Sequence, residues 1–204
     1  MRLGLLACAV AAACIATTVA RADGDPASDY LLSQKTFLPF DAKISKDQSA
    51  ALNGIVEDAR RKGYTIRVAV ISRPFDLGAV PSLFKKPKTY ARFLGQELFF
   101  VYKGRLLVVM PNGYGVSRGG KPYAPGQRVV DKLPPPGDGG DALVAGATRA
   151  VRALAASQGV HAVAPPPASS DGTTDDRLII AAAVGGVALL ILLGMGARRL
   201  LARR

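Results

Sequence analysis

Asp41, Asp76 and Asn112 each stand just past a short apolar run: Phe37-Leu38-Pro39-Phe40, Ile66 to Ile71, and Leu106 to Met110. In open α/β sheets, ligand groups gather beyond the carboxyl ends of the strands. Carboxylate and amide oxygens are also the ligands that Ca²⁺ or Mg²⁺ prefer, so the three could share an ion. Asp and Asn cap turns just as readily, which is the simpler reading of the same positions. The cations fall into two groups. Arg60-Arg61-Lys62 closes an expected helix, where cations complement the helix dipole. Lys85-Lys86-Pro87-Lys88 with Arg92 has no such structural reason, which makes it a candidate contact for anionic lipid headgroups or envelope polymers.

Recognisable catalytic machinery is missing from the string. There is no Gly-x-x-x-x-Gly-Lys-Ser/Thr loop, no H-E-x-x-H and no G-x-S-x-G. His161 is the only histidine and sits at the domain's exit beside the proline tether, which argues against a histidine-rich metal site and against a catalytic triad. Glu97 falls on a helix as a surface residue. These absences favour a binding protein over an enzyme and predict no resident cofactor, with Ca²⁺ or Mg²⁺ at Asp41, Asp76 and Asn112 as the exception.

The elements that must position these residues are legible as patterns. Asp23 to Gln34 is polar and reads as loosely ordered. Phe37 to Phe40 suits an edge strand, because Pro39 cannot donate to a ladder. Ser45 and Gln48 form a capping box, with Leu52, Ile55, Val56 and Ala59 on one helical face and Gly63 at C′. Ile66 to Ile71 is a β-branched strand. Thr89 caps a second helix to about Phe99, with Tyr90, Phe93, Leu94 and Leu98 inward. After a Lys103-Gly104 turn, Leu106 to Met110 reads as a buried strand, and Pro111-Asn112-Gly113-Tyr114 turns the chain back through Ser117. Gly119 to Gly140 reads as a loop. Asp141 caps a last helix to Gly159, with Leu143, Val144, Ala147, Val151 and Leu154 inward. The order β-α-β-α-β-β-α implies a single α/β domain in which helices pack on a mixed sheet.

Both ends carry addresses. Arg2, an apolar run from Leu3 to Ala16, and Ala20-Arg21-Ala22 have the layout of a secretory signal peptide over 1–22, cleaved before Asp23. An uncleaved anchor is the alternative. Both cysteines, Cys8 and Cys14, lie in that segment, so the mature chain has no thiol. Leu178 to Ala197 is twenty residues without a charge, enough for a helix to cross a bilayer. Asp171, Asp175 and Asp176 precede it and Arg198, Arg199, Arg203 and Arg204 follow, which places the arginines in the cytoplasm and Asp23 to Arg177 outside. The expectation is a type I single-span protein of the plasma membrane, its extracytoplasmic domain held on a Pro/Ser/Thr/Asp-rich tether over 164–177. Small residues at Ala181, Ala182, Gly185 and Gly186 leave room for homodimerisation through the span.

Composition narrows the class further. With 204 residues, 49% hydrophobic, the chain is too apolar to be disordered and too poor in Cys to be a disulfide scaffold. Its 27 Lys+Arg against 15 Asp+Glu, net +12, suggest nucleic acid until the charge is divided. Two arginines belong to the signal peptide, four to the tail, and 164–177 is acidic by two, so the outer domain keeps +8. A moderately basic domain outside the cytoplasm points to the membrane and to protein or polymer partners in the envelope, and away from nucleic acid.

The stretch from Ile44 to Val116 resembles TPM domains. The residues that carry the likeness are the helix ending at Gly63, Ile66-Arg67-Val68-Ala69-Val70-Ile71, the helix opening Tyr90-Ala91, Leu106-Leu107-Val108-Val109-Met110, and the Gly113-Tyr114-Gly115 turn. The whole layout, with signal peptide, small outer domain and C-terminal span, is similar too. The resemblance implies an α/β/α sandwich and, from members for which acid phosphatase activity has been proposed, a metal-dependent phosphatase as the enzymatic alternative. The family's usual Asp-Asp near the first strand stands here as the single Asp41, and its Trp-Gly segment is absent from a chain with no Trp.

Overall fold

The computed structural model describes residues 24–164. The expected signal peptide with Ala20 and Ala22, the tether beyond Ala164, the span 178–197 with its small residues, and Arg198, Arg199, Arg203 and Arg204 lie outside the described residues. Among the described residues, no helix is long and apolar enough to cross a membrane.

The described residues form a mixed α/β domain around a five-stranded sheet. The strands are β1 (Thr36–Phe37), β2 (Ile66–Val70), β3 (Arg105–Met110), β4 (Gly113–Arg118) and β5 (Lys121–Pro122), and they lie side by side in chain order. β1, β2 and β3 are parallel, while β3, β4 and β5 are antiparallel. The helices are α1 (Pro26–Ser33), α2 (Lys46–Arg61), α3 (Pro87–Glu97), α4 (Ala124–Val130) and α5 (Gly140–Ala156). Side chains alternate across a strand, so β2 and β3 feed two separate cores. Val68, Val70, Leu107 and Val109 pack with the apolar stripes of α2 and α5. Ala69, Ile71, Leu106, Val108 and Met110 pack with α1 and α3. Helices therefore cover both faces of the sheet, and β3, with one partner strand on each side, sits between both cores.

α2 starts at Ser45, whose hydroxyl accepts from the Gln48 N–H, and ends in a left-handed Gly63. Tyr64 N–H reaches back to Ala59 and Gly63 N–H to Arg60, the paired bonds that close a helix at a glycine. The return half of the expected capping box differs. The Ser45 N–H donates to Asp141, not to Gln48, at 2.7 Å.

Four sequence expectations are corrected. Asp23 to Gln34 is not loose: Asp25 caps α1, Pro26 sits at its first position, and Ala27 and Leu31 are fully buried. α3 begins at Pro87 and not after Thr89, because proline is preorganised for the first helical position. The expected loop from Gly119 to Gly140 contains β5 and α4. Asp141 is not the cap of the last helix; Gly139 holds that position, and the Asp141 carboxylate serves α2.

Candidate functional site

The basic cluster sits where α3 starts. Lys85 adopts the left-handed conformation at φ 60°, the one non-glycine described residue to do so. The Asn112 amide donates to the Lys85 carbonyl at 2.7 Å, so the β3–β4 turn holds this strained loop in place. Lys86 occupies the N-cap of α3 without a side-chain cap. The helix start is pressed against β4: a Cβ on Gly115 would collide with the Pro87 carbonyl, so only glycine permits this approach. The buried Ser117 hydroxyl donates to the Ala91 carbonyl one turn further on.

Between these elements lies a hollow of about 570 Å³ lined by Lys85, Lys86, Lys88, Thr89, Asn112 and Asp131 among others. A second hollow of about 390 Å³ adjoins it, sharing Lys88, Thr89 and Asp131 and adding Arg92, Gln127 and Arg128. Lys88 and Asp131 form an ion pair at 3.1 Å in the shared wall. The Gln127 amide, and after it Lys88, hold the Asp131 carboxyl below the ordinary range. Three lysines and two arginines over one carboxylate, at the positive end of a helix dipole, give the pair of hollows a field that favours anions. Gln127 also fixes their floor, accepting from the Val116 N–H at 2.9 Å and donating to the Tyr114 carbonyl at 3.0 Å.

The expected site residues divide between two places. Lys85, Lys86, Lys88 and Asn112 meet at the first hollow, and Arg92 opens onto the second. Asp41 and Asp76 meet elsewhere, at Arg73. The Arg73 guanidinium pairs with Asp41 at 3.0 Å, and its backbone N–H donates to Asp76 at 2.9 Å. Asp76 is buried and also accepts from the Ser72 N–H and hydroxyl, in the manner of a turn cap. Asn112 is spent on Lys85. Each of the three thus has a local protein partner, and among the described residues no group of three His, Asp or Glu is placed to hold a metal ion. His161 is exposed near the end of the domain, its carbonyl accepting from Lys62.

Sequence reasoning missed Gln127, Arg128 and Asp131, because the Gly and Pro content of their segment hid a helix. The available signal was Tyr123, Gln127 and Val130, spaced as one helical face.

At the opposite end of the sheet, two arginines close the layers. Arg67 of β2 lies 4.2 Å from the Tyr102 ring, and Arg105 of β3 lies 4.4 Å from Tyr64. Burial pushes both tyrosine hydroxyls up to about 12, and it lowers Arg67 from its ordinary value. Arg67 Nη1 and Arg105 Nε are buried without a hydrogen-bond partner among the described residues, so stacking on a ring is their compensation.

Comparison of the chain with known protein families, with characterised proteins and with solved structures finds no match in any of the three.

Proposed function

We propose that the chain is a single-pass, type I protein of the plasma membrane whose extracytoplasmic α/β domain binds or assists another component of the cell envelope. In this reading a signal peptide exports residues 23–163 and Leu178 to Ala197 anchors them. The TPM-like pattern of Ile44 to Val116 is retained as the family reading. The observation that carries the binding role is the basic pair of hollows at the start of α3, where Lys85, Lys86 and Lys88 converge with Asn112 on a concave surface. Pockets with convergent polar groups are where ligands bind, and this one selects for negative charge. The same observation supports an anionic group, on a polymer or on a protein, as what the domain recognises. Catalysis has no comparable support, since the one carboxylate lining the hollows is held by Lys88 and Gln127.

Crosslinking in intact cells, followed by identification of what co-purifies, tests this reading. Wild type and Lys85→Glu/Lys86→Glu are compared, both side chains being exposed and part of neither core. The expected result is an envelope component captured by wild type and lost from the double variant. A captured set that is identical for the two proteins would overturn the site.

A further inference from the structure

The turn that follows α3 carries three consecutive apolar side chains directed into solvent. Phe99 is 40% exposed, Phe100 94% and Val101 61%. Single exposed apolar residues are ordinary, but a consecutive run at one tip marks an interaction site. The tip is well held. Val101 and Tyr102 N–H groups both donate to the carbonyl of the fully buried Leu98, and the Tyr102 hydroxyl donates to the Arg105 carbonyl. The apolar groups are therefore presented by a braced turn.

Cations lie at the same end of the domain. Lys103 Nζ lies 4.7 Å from the Phe99 ring. The β4–β5 turn, with exposed Arg118 and Lys121, is joined to the same end by the Gly119 N–H donating to the Gly104 carbonyl at 3.3 Å. Glu97, on the last turn of α3, is the acidic neighbour in sequence. An aromatic tip with Lys and Arg at the same end of the domain has the composition of a segment that lies in a lipid headgroup region.

Where the domain's chain leaves supplies the second, independent observation. The Val163 N–H donates to Asp58 at 2.9 Å, and Lys62 donates to the His161 carbonyl at 2.8 Å. These contacts fix the exit at the C-terminal end of α2, just before Ile66, and Ile66 is in register with Arg105. Exit and aromatic tip thus share the end of the sheet at which β2 and β3 begin. The hollow at Lys85 and Asn112 lies at the other end, five to six strand residues away, or roughly 15–20 Å. Pro165 to Arg177 separates the exit from the apolar run, and a chain of that length spans on the order of 20 Å when flexible and at most about 45 Å when extended.

We propose that Phe99, Phe100 and Val101 form an interfacial anchor that inserts into the headgroup–acyl boundary of an anionic bilayer, with Lys103, Arg118 and Lys121 on its headgroups. The tip turns a tethered domain into an oriented one, with the hollow at Lys85 and Asn112 facing away from the membrane. This inference rests on the membrane-anchored reading above, and the two fail separately.

The chain has no Trp, so Phe100→Trp supplies a sole indole at the tip, and Phe75→Trp supplies one at an 82% exposed position beyond the other end of β2. Each full-length variant is reconstituted into vesicles containing phosphatidylglycerol, with and without lipids brominated on their acyl chains. The Phe100→Trp emission is expected to shift to the blue and to be quenched at least about two-fold more than that of Phe75→Trp. Equal quenching of the two, or none at Phe100→Trp, overturns the lipid anchor. A blue shift without bromine quenching assigns the tip to a protein partner and overturns it as well. Extraction of the same preparation with alkaline carbonate decides the span independently: a chain that stays in the pellet keeps the anchored reading whatever the indole does, and a chain released to the supernatant ends it.

Discussion

The Tyr90 hydroxyl donates to both carboxylate oxygens of Asp25, at 2.8 and 2.7 Å, and so locks α1 onto α3 in a buried setting. Asp25 at the same time accepts from the Ala27 N–H as the cap of α1. Burial outweighs these donors and raises the Asp25 carboxyl from its ordinary 3.8 to about 6, while the Tyr90 hydroxyl is pushed well above its usual range by burial and by the carboxylate. A carboxyl with a raised folded pKa holds its proton more tightly folded than unfolded. Its contribution to stability is therefore fully present below 3.8 and is lost as the pH rises through about 6.

Asp25→Asn keeps an acceptor for Ala27 and for Tyr90 but cannot ionise. Relative to wild type, the variant is expected to gain stability as the pH rises from 4 to 7, by up to about 3 kcal/mol at the level of about 1.4 kcal/mol per pKa unit. Glu57 and Asp58, lowered by their Arg and Lys partners, oppose this trend in acid, but they are common to both proteins and cancel in the difference. Urea unfolding across this range checks it, and a difference that does not vary with pH would sink the assignment.

Asp141 connects the two long helices of one face. Its carboxylate takes the Ser45 N–H from a position 96 residues away, replacing the Gln48 side chain that the local pattern offers. Asp141→Ala is expected to cost about 1–2 kcal/mol, since it removes a charge-assisted bond to an otherwise unpaired helix-start donor. Gln48→Ala, by contrast, is expected to change stability by less than about 0.5 kcal/mol. Reversal of that order in urea melts would show that Gln48 completes the box after all.

Gly115 sets the distance between β4 and the start of α3. A methyl group there meets the Pro87 carbonyl and must displace the helix, so Gly115→Ala is expected to destabilise by about 3 kcal/mol or more. The same substitution moves Lys88 and deforms the hollow. A variant that melts like wild type would mean that α3 slides without cost.

Gln127 satisfies the backbone of β4 on the side away from β3's central pairing. Gln127→Ala leaves the Val116 N–H and the Tyr114 carbonyl without this partner, and is expected to cost about 1–3 kcal/mol. Faster hydrogen exchange at the Val116 amide than at Leu107, which keeps its ladder bonds, is the local signature to look for.

The sequence exposed those parts of the fold whose burial leaves a periodic trace. α2 and α5 each carry an apolar stripe with polar residues between, and β2 and β3 are largely apolar runs because helices cover both of their faces. α1 left almost no trace: one turn of it is buried, and Ala27 and Leu31 are a single i,i+4 pair. α4 was obscured by Pro125 and Gly126, which here serve the helix start and its contact with Val116. Of the site, the lysines were legible as a charge cluster without a local explanation, and Asn112 as a residue beyond a strand. Their meeting was not, because the Asn112 bond to Lys85 joins two loops 27 residues apart. Asp41 and Asp76 carried the same outward signal as Asn112, yet they meet at Arg73, whose backbone N–H serves Asp76 while its guanidinium reaches Asp41, a contact that depends on tertiary position.

The two faces of the sheet become complete at very different points along the chain. The core beneath α1 and α3 draws on residues from Ala27 to Met110, whereas the core beneath α2 needs α5 and ends at Ala162. A polypeptide that emerges N-terminus first can therefore seal one side while Leu52, Ile55, Val56 and Ala59 still wait, bare, for some fifty further residues to arrive. Until then that stripe is a sticky surface of the kind holding chaperones recognise, and a chain cut short before Gly140 would remain in that state.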